Sequence, residues 1–262
     1  MYAIERIRII KHYLKEKGQA QVHTLSNLLG VSEVTVRRDL VRLEKEGWLT
    51  RTHGGAVINE NNETSPLAEL LEEPADDGSL DEIASVALKM IHDGDVVMLT
   101  NGSVNNRLAV KLEERSNLIV LTNDLSIALH ISLQDSNKVV LLGGDMNKEE
   151  KALFGSMTMA NLRKFYVNRL FVEVDGINEH LQLTVNNQEK ADLILSALEL
   201  SEQTIVVCPS NRFSSNAFYR LGSINIAEGI ISNTDLDDSY KTRIFNSDIP
   251  LFTTASPFEG SE

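Results

Sequence analysis

The 262-residue sequence has a single cysteine, Cys208, so no internal disulfide framework holds the fold together. It has no uninterrupted apolar run near the roughly 20 residues needed to cross a bilayer, and no membrane partner is expected. No leader with a basic start, an apolar centre and a small-residue cleavage site is present, so a cytoplasmic location is expected. Its six histidines, at 12, 23, 53, 92, 130 and 180, lack the close spacing of a metal site, and neither a metal nor a cofactor is expected. Basic charge is scarce too: the formal net charge of −13 argues against a nucleic-acid partner if read globally. Split along the chain, however, residues 1–58 carry +4 and the remainder −17. A basic head on an acidic body confines the phosphate-attracting field to the head. At this length, with 42% hydrophobic residues, one small and one large domain are expected.

In the head, SEVTVRRDLVRL from Ser32 to Leu43 reads as one amphipathic helix. Val36, Leu40 and Leu43 form its apolar stripe, while Thr35, Arg37, Arg38 and Arg42 lie mostly off it. Ser32 can cap the helix start, and Glu33 places negative charge where the helix dipole favours it. Before it, Leu25, Leu28 and Leu29 make a short helical face ended by Gly30, which gives a helix-turn-helix with Ser32–Glu46 as the recognition helix. A first helix is expected over residues 3–17. On it, Arg6 and Arg8 read as a solvated face, with a phosphate contact as the alternative. Val22 is expected to open a short extended piece. GWLTRTHGGAVI alternates apolar and polar residues around Gly54-Gly55 and reads as a hairpin wing. Ser32, Thr35, Arg37, Arg38, Arg42, Arg51 and His53 are therefore expected to face double-stranded DNA. The alternative is that the arginines solvate the outside of a small helical domain, but a basic helix beside a basic hairpin favours DNA. Asp39 reads as structural, orienting a neighbouring arginine, because a carboxylate at DNA repels phosphate.

Residues 59–77, rich in acids with Asn, Ser, Pro and Gly, read as a solvated linker. From 78 to 262, short apolar runs alternate with helical patterns, the mark of an α/β domain with a mostly parallel sheet. Strands are expected at 96–100, 118–122, 138–142, 169–174, 204–208, 228–232 and 249–252. Helices are expected at 80–91, 105–114, 125–133, 157–165, 188–200 and 237–246. In such sheets ligands collect beyond the carboxyl ends of the strands. That places Thr100 to Ser103, Thr122 to Asp124, Gly143 to Asp145, Asp175-Gly176 and Pro209 to Phe213 at a candidate pocket.

SEVTVRRDLVRLEKEGWLTRTHGGA resembles the signature of the DeoR-type family of bacterial transcriptional regulators, a winged helix-turn-helix followed by a sugar-phosphate-sensing domain similar in fold to ribose-5-phosphate isomerase. The resemblance covers nearly all of the larger domain as well. It implies an oligomeric DNA-binding regulator, probed by a small anionic effector of the phosphorylated-sugar type, with operator DNA and further copies of itself, as dimer or tetramer, for partners. It implies effector contacts from Thr100, Gly102, Ser103, Asn123, Gly143, Gly144 and Arg212. The departures from the pattern bear on chemistry. Thr100 and Pro209 stand where the family has Asp, Arg212 stands for a Lys, and Asp192, after Glu189, stands where another Lys is expected. An isomerase needs a general base and an electrophilic stabiliser, so enzymatic activity is not expected. Arg212 reads either as a bidentate anion ligand or as a surface ion pair. Repression of a carbohydrate operon is the expectation. A sensor reduced to an oligomerisation module, or an isomerase-like enzyme, are the alternatives.

Overall fold

The structure, a computed structural model, describes residues 3–45, 47–59 and 78–253. The chain divides into two compact units, Met1–Glu69 and Leu70–Glu262. The expected linker lies, apart from Asn59, outside the described residues.

In the first unit, helix α1 (Ala3–Lys17) leads through strand β1 (Gln19–Gln21) into α2 (Val22–Leu29), α3 (Glu33–Lys45), β2 (Leu49–Thr52) and β3 (Gly55–Ile58). The extended piece thus precedes Val22, which begins α2. Val22 is buried and its amide donates to the Gly54 carbonyl at 2.9 Å, tying the helix start to the hairpin. Gly30 ends α2 in the left-handed region, at φ 62°, where a glycine carries no steric cost. Val36, Leu40 and Leu43 are buried together with Ile10, Leu14, Leu25 and Trp48, so the stripe read from α3 is the core of this unit. Asp39 is buried beside it and accepts from Arg6 Nε at 2.8 Å and Nη2 at 3.2 Å. Arg6 is therefore a partly buried partner of Asp39, which corrects its reading as a solvated or phosphate-facing residue. Asn59 bonds to Thr50 and to the Gly47 carbonyl and so belongs with the hairpin.

The second unit is built on a seven-stranded, wholly parallel sheet. In chain order its elements are α4 (Ser79–Leu88), β4 (Val96–Leu99), α5 (Ser103–Lys111), β5 (Ile119–Thr122), α6 (Leu125–Ser132), β6 (Lys138–Leu141), β7 (Asp145–Asn147), β8 (Ala152–Phe154), α7 (Ser156–Leu162), β9 (Val167–Glu173), β10 (Gly176–Ile177), β11 (Gln182–Val185), α8 (Gln188–Leu198), β12 (Ser201–Val207), β13 (Tyr219–Ser223), β14 (Gly229–Ile231), α9 (Asp238–Phe245) and β15 (Leu251–Phe252). The sheet order is β15-β14-β12-β9-β4-β5-β6. Alternate residues of the central strands enter two different cores. Val97, Leu99, Phe171 and Ile205 pack with α4, α5 and α6, while Met98, Leu170, Val172 and Val206 pack with α7, α8 and α9. Burial on both faces explains why these strands read as apolar runs rather than alternations.

Two small antiparallel pieces had no apolar run to announce them, the β7–β8 pair and the three-stranded β10-β11-β13 sheet. Helix α5 begins at Ser103, two residues before the expected start, and a single 3-10 turn, 112–114, finishes the segment.

Candidate functional site

Each unit presents one candidate site. In the first, α3 starts after Ser32, whose hydroxyl lies 3.0 Å from that of Thr35. Arg37, Arg38 and Arg42 are exposed, on the side away from the buried stripe. Arg37 leans back on Glu33 at 3.4 Å, an exposed pair one turn apart that holds it weakly. Arg38 has no ion-pair partner among the described residues. Arg51, in β2, is differently placed. Its Nε donates to Glu44 at 2.7 Å and its amide to the same carboxylate at 3.1 Å, which fastens the hairpin to the end of α3 and holds the Glu44 carboxyl below the usual range. His53 is exposed in the turn of the hairpin. The seven residues read from the sequence thus lie along one helix, from the residue before its start to Arg42 in its last turn, and on one adjoining hairpin.

In the second unit a cavity of about 590 Å³ lies beyond the carboxyl ends of β4, β5, β9 and β12, where an open parallel sheet collects ligands. Gly102, Ser103 and Arg212 line it as the sequence suggested, and so do Asn101, Asp124 and Asp175 from the same group of loops. Four of the expected effector residues do not. Thr100 is fully buried; its hydroxyl donates to the Phe171 carbonyl and accepts from the Glu173 amide, which welds β4 to β9. Asn123 is fully buried and accepts from the Asn101 amide at 3.2 Å. The Gly143 carbonyl accepts from the Thr158 hydroxyl, and a Cβ on Gly144 would meet that hydroxyl at 2.1 Å and the Phe154 carbonyl at 2.3 Å, so this turn is packed against α7. Asp192 is likewise absent from the cavity. With Glu189 it borders a separate hollow of about 220 Å³ next to α7.

The residues that sequence reasoning missed are the most tightly held. Glu173 closes β9 and is buried under the start of α5. Its Oε1 accepts from the Ser103 amide at 2.9 Å and hydroxyl at 3.0 Å, and its Oε2 from the amides of Val104 at 2.8 Å and Asn105 at 3.1 Å. Burial pushes this carboxyl up, against the pull of Lys190 and the donors. Lys190, in the first turn of α8 and buried, donates to Asp175 at 3.1 Å. Asp124 caps α6 by accepting from the amides of Ser126 at 2.7 Å and Ile127 at 3.0 Å, and the Gly102 amide also bonds to it. Burial, with Glu173 nearby, pushes the Asp124 carboxyl up to about 6. Glu150 accepts from Asn101 at 2.6 Å and Asn187 at 2.7 Å. The lining therefore carries five carboxylates, at 124, 149, 150, 173 and 175, against Lys151, Lys190 and Arg212. A lone acid inside the apolar run RLFVEV was the one signal that could have exposed Glu173.

Among the described residues no cluster of His, Cys, Asp or Glu is arranged to hold a metal, and no helix is long and apolar enough to cross a membrane.

Comparison with known proteins adds two matched families, the DeoR-like helix-turn-helix domain over residues 6–62 and the DeoR C terminal sensor domain over residues 80–234. Similar relatives include the HTH-type transcriptional repressor GlcR of Bacillus subtilis, 27% identical over 255 residues and covering 97% of both chains. Another is a putative aga operon transcriptional repressor of Escherichia coli O157:H7, 28% identical over 233 residues, 86% of this chain and 87% of that one. A solved ribose 5-phosphate isomerase A from Methanocaldococcus jannaschii overlaps 51% of this chain and 53% of its own at 14% identity and a TM-score of 0.38.

Proposed function

We propose a function from one premise: the chain belongs to the DeoR family of transcriptional regulators, whose head and sensor it matches in order along most of its length. It is a DNA-binding repressor of a carbohydrate-metabolism operon, released from its operator when a sugar-derived metabolite enters the cavity at the carboxyl edge of the parallel sheet. The observation that carries the reading is the exposed face of α3. Thr35, Arg38 and Arg42 project from a helix whose opposite side is locked into a core, the arrangement that lets a helix enter a major groove without unfolding its own support. Arg38 and Thr35, near the helix start, reach base edges, whereas Arg51 and His53 of the hairpin contact backbone phosphates.

The cavity lining favours binding without turnover. Thr100 and Pro209 offer no carboxylate, and those of Glu173, Asp124 and Glu150 are engaged by backbone amides and amide side chains of the protein itself. Relatives are named as repressors, which agrees with a regulator rather than an enzyme. The protein acts in the cytoplasm as a symmetric dimer or tetramer; exposed apolar side chains such as Leu133, Tyr166 and Phe218 on the second unit supply surface for self-association.

The test is a mobility-shift titration of the full chain on DNA from the promoter it controls. With about four phosphate contacts per protomer, a dimer gives a slope of log K against log[salt] of about −7. A panel of carbohydrates and their phosphates then identifies the compound that releases the DNA. A slope near zero refutes the electrostatic docking, and the absence of release by every carbohydrate refutes the assigned effector.

A further inference from the structure

The start of a helix is a ready anion seat, because its first amides lack partners within the helix and its dipole favours negative charge. At α5 that seat is taken. The amides of Ser103, Val104 and Asn105 all donate to Glu173, and the Gly102 amide bonds to Asp124. The fit is close: a Cβ added to Gly102, whose φ of 152° disfavours one in any case, would fall 2.3 Å from the Glu173 carboxyl carbon. Glu173 is buried, reaches its donors through both oxygens, and is further countered by Lys190. A second anion could enter only by displacing a carboxylate that has four donors, into a lining where five carboxylates already outnumber three cations.

We infer that Glu173 is a specificity-determining internal anion, which fills the place where a ligand phosphate would sit and so makes this sensor accept a sugar-derived effector by an uncharged, hydroxyl-bearing end. This rests on the reading of the cavity as the effector site. The hydroxyls of that end meet Asn101, Asn106, Ser126 and the outer oxygens of Glu150, groups suited to hydroxyl donors and acceptors. Any anionic group on the same molecule is confined to the mouth, where the exposed Arg212 stands on the loop after β12. The expected grip of Gly102 and Ser103 on a phosphate is thereby replaced: these residues hold Glu173.

The experiment unmasks the seat. In Glu173→Gly the carboxylate is gone, the amides of residues 103–105 are released, and the Lys190 charge is no longer opposed from that side. Inorganic phosphate, titrated by calorimetry against chloride at equal ionic strength, should bind the full-length variant at least tenfold more tightly than the wild type. The amide resonances of Ser103, Val104 and Asn105 should move with phosphate in the variant and stay still in the wild type. Glu173→Gln, which keeps the volume but turns an N–H toward the amide donors, should show faster amide exchange at the same three residues and weaker protection of α5. Phosphate binding to the wild type that moves those three amides overturns the inference, and so does a folded Glu173→Gly that binds phosphate no better than the wild type. If both variants fail to fold, the wild-type amides still decide: glucose 6-phosphate that shifts residues 103–105 more than glucose does refutes the internal-anion role. None of these readings uses operator DNA, so their failure is separable from failure of carbohydrate-induced release.

Discussion

The two units treat charge in opposite ways. On α3, Arg37, Arg38 and Arg42 face outward, and Arg37 rests on Glu33 in an exposed pair one turn apart. At α5 and α8 every charge that matters is answered from within: Glu173 by backbone amides, Asp124 by a helix start, Lys190 by Asp175. A surface that must take up a polyanion holds its cations loosely, because a tightly bound partner would have to be stripped off on binding. A cavity that must exclude the wrong ligand satisfies its own charges first, since an unanswered buried charge costs several kcal/mol and invites any counter-ion.

The sharpest way to break that comparison is Lys190→Ala. It leaves Asp175 with the Asn186 amide but without its cation, removes a cation from beside Glu173, and should destabilise the second unit by about 3–5 kcal/mol. The single tryptophan, Trp48, lies in the core of the first unit, so its fluorescence follows that unit alone. The circular-dichroism transition should move while the Trp48 transition does not; equal movement of both would contradict independent charge economies in the two units.

Asp124 gives the next largest effect. Its folded-state carboxyl titrates near 6, above its ordinary 3.8, so the folded protein holds the proton more tightly than the unfolded chain does. The contribution is fully present below pH about 3.8 and is lost as the pH rises through about 6, on the order of 3 kcal/mol in total. In Asp124→Asn, which keeps a good helix cap, stability should lose this fall between pH 4 and 6. Chemical denaturation of both proteins across that window measures it, and parallel pH profiles would remove Asp124 from the buried set.

What could be read in the sequence divides along the same line. The outward features were legible because they are local. Val36, Leu40 and Leu43 declare a buried stripe by spacing alone, and what lies off the stripe, Arg38 and Arg42, faces out. The central strands were legible because burial on both faces made them apolar runs. Glu173 and Lys190 were not, since their meaning depends on partners far away in sequence: Glu173 meets Ser103 across 70 residues and Lys190 meets Asp175 across 15. Glycine and serine after a strand do suggest an anion seat, but no local pattern tells whether the anion comes from a ligand or from the chain. The β7–β8 and β10-β11-β13 pieces were missed for a related reason, being short, partly polar and stabilised by pairing rather than by an apolar face.

On α3 the expected effects are smaller and differ in kind. Arg38→Ala should weaken operator binding by about 1–3 kcal/mol and relax the preference at one base position, read from binding to a randomised operator library. Equal loss on every sequence would assign Arg38 to the phosphates. Arg51→Ala should cost less than about 1 kcal/mol, spread evenly over all sequences, because its guanidinium already spends one nitrogen on Glu44. A change of base preference in that variant would show that the hairpin reads sequence after all.

Gly55 carries one more consequence. A Cβ there would lie 2.1 Å from the Ala20 carbonyl oxygen, and strand β3 is hydrogen-bonded between β1 and β2. The hairpin is therefore riveted to the joint between α1 and α2, and it cannot swing without dragging the first half of the helix-turn-helix along. The reading head is a single stiff stamp, with no joint inside it. Regulation has nothing to adjust in the shape of one stamp; in the dimer proposed above, what it can change is how far apart two stamps stand and whether both press on the same DNA at once.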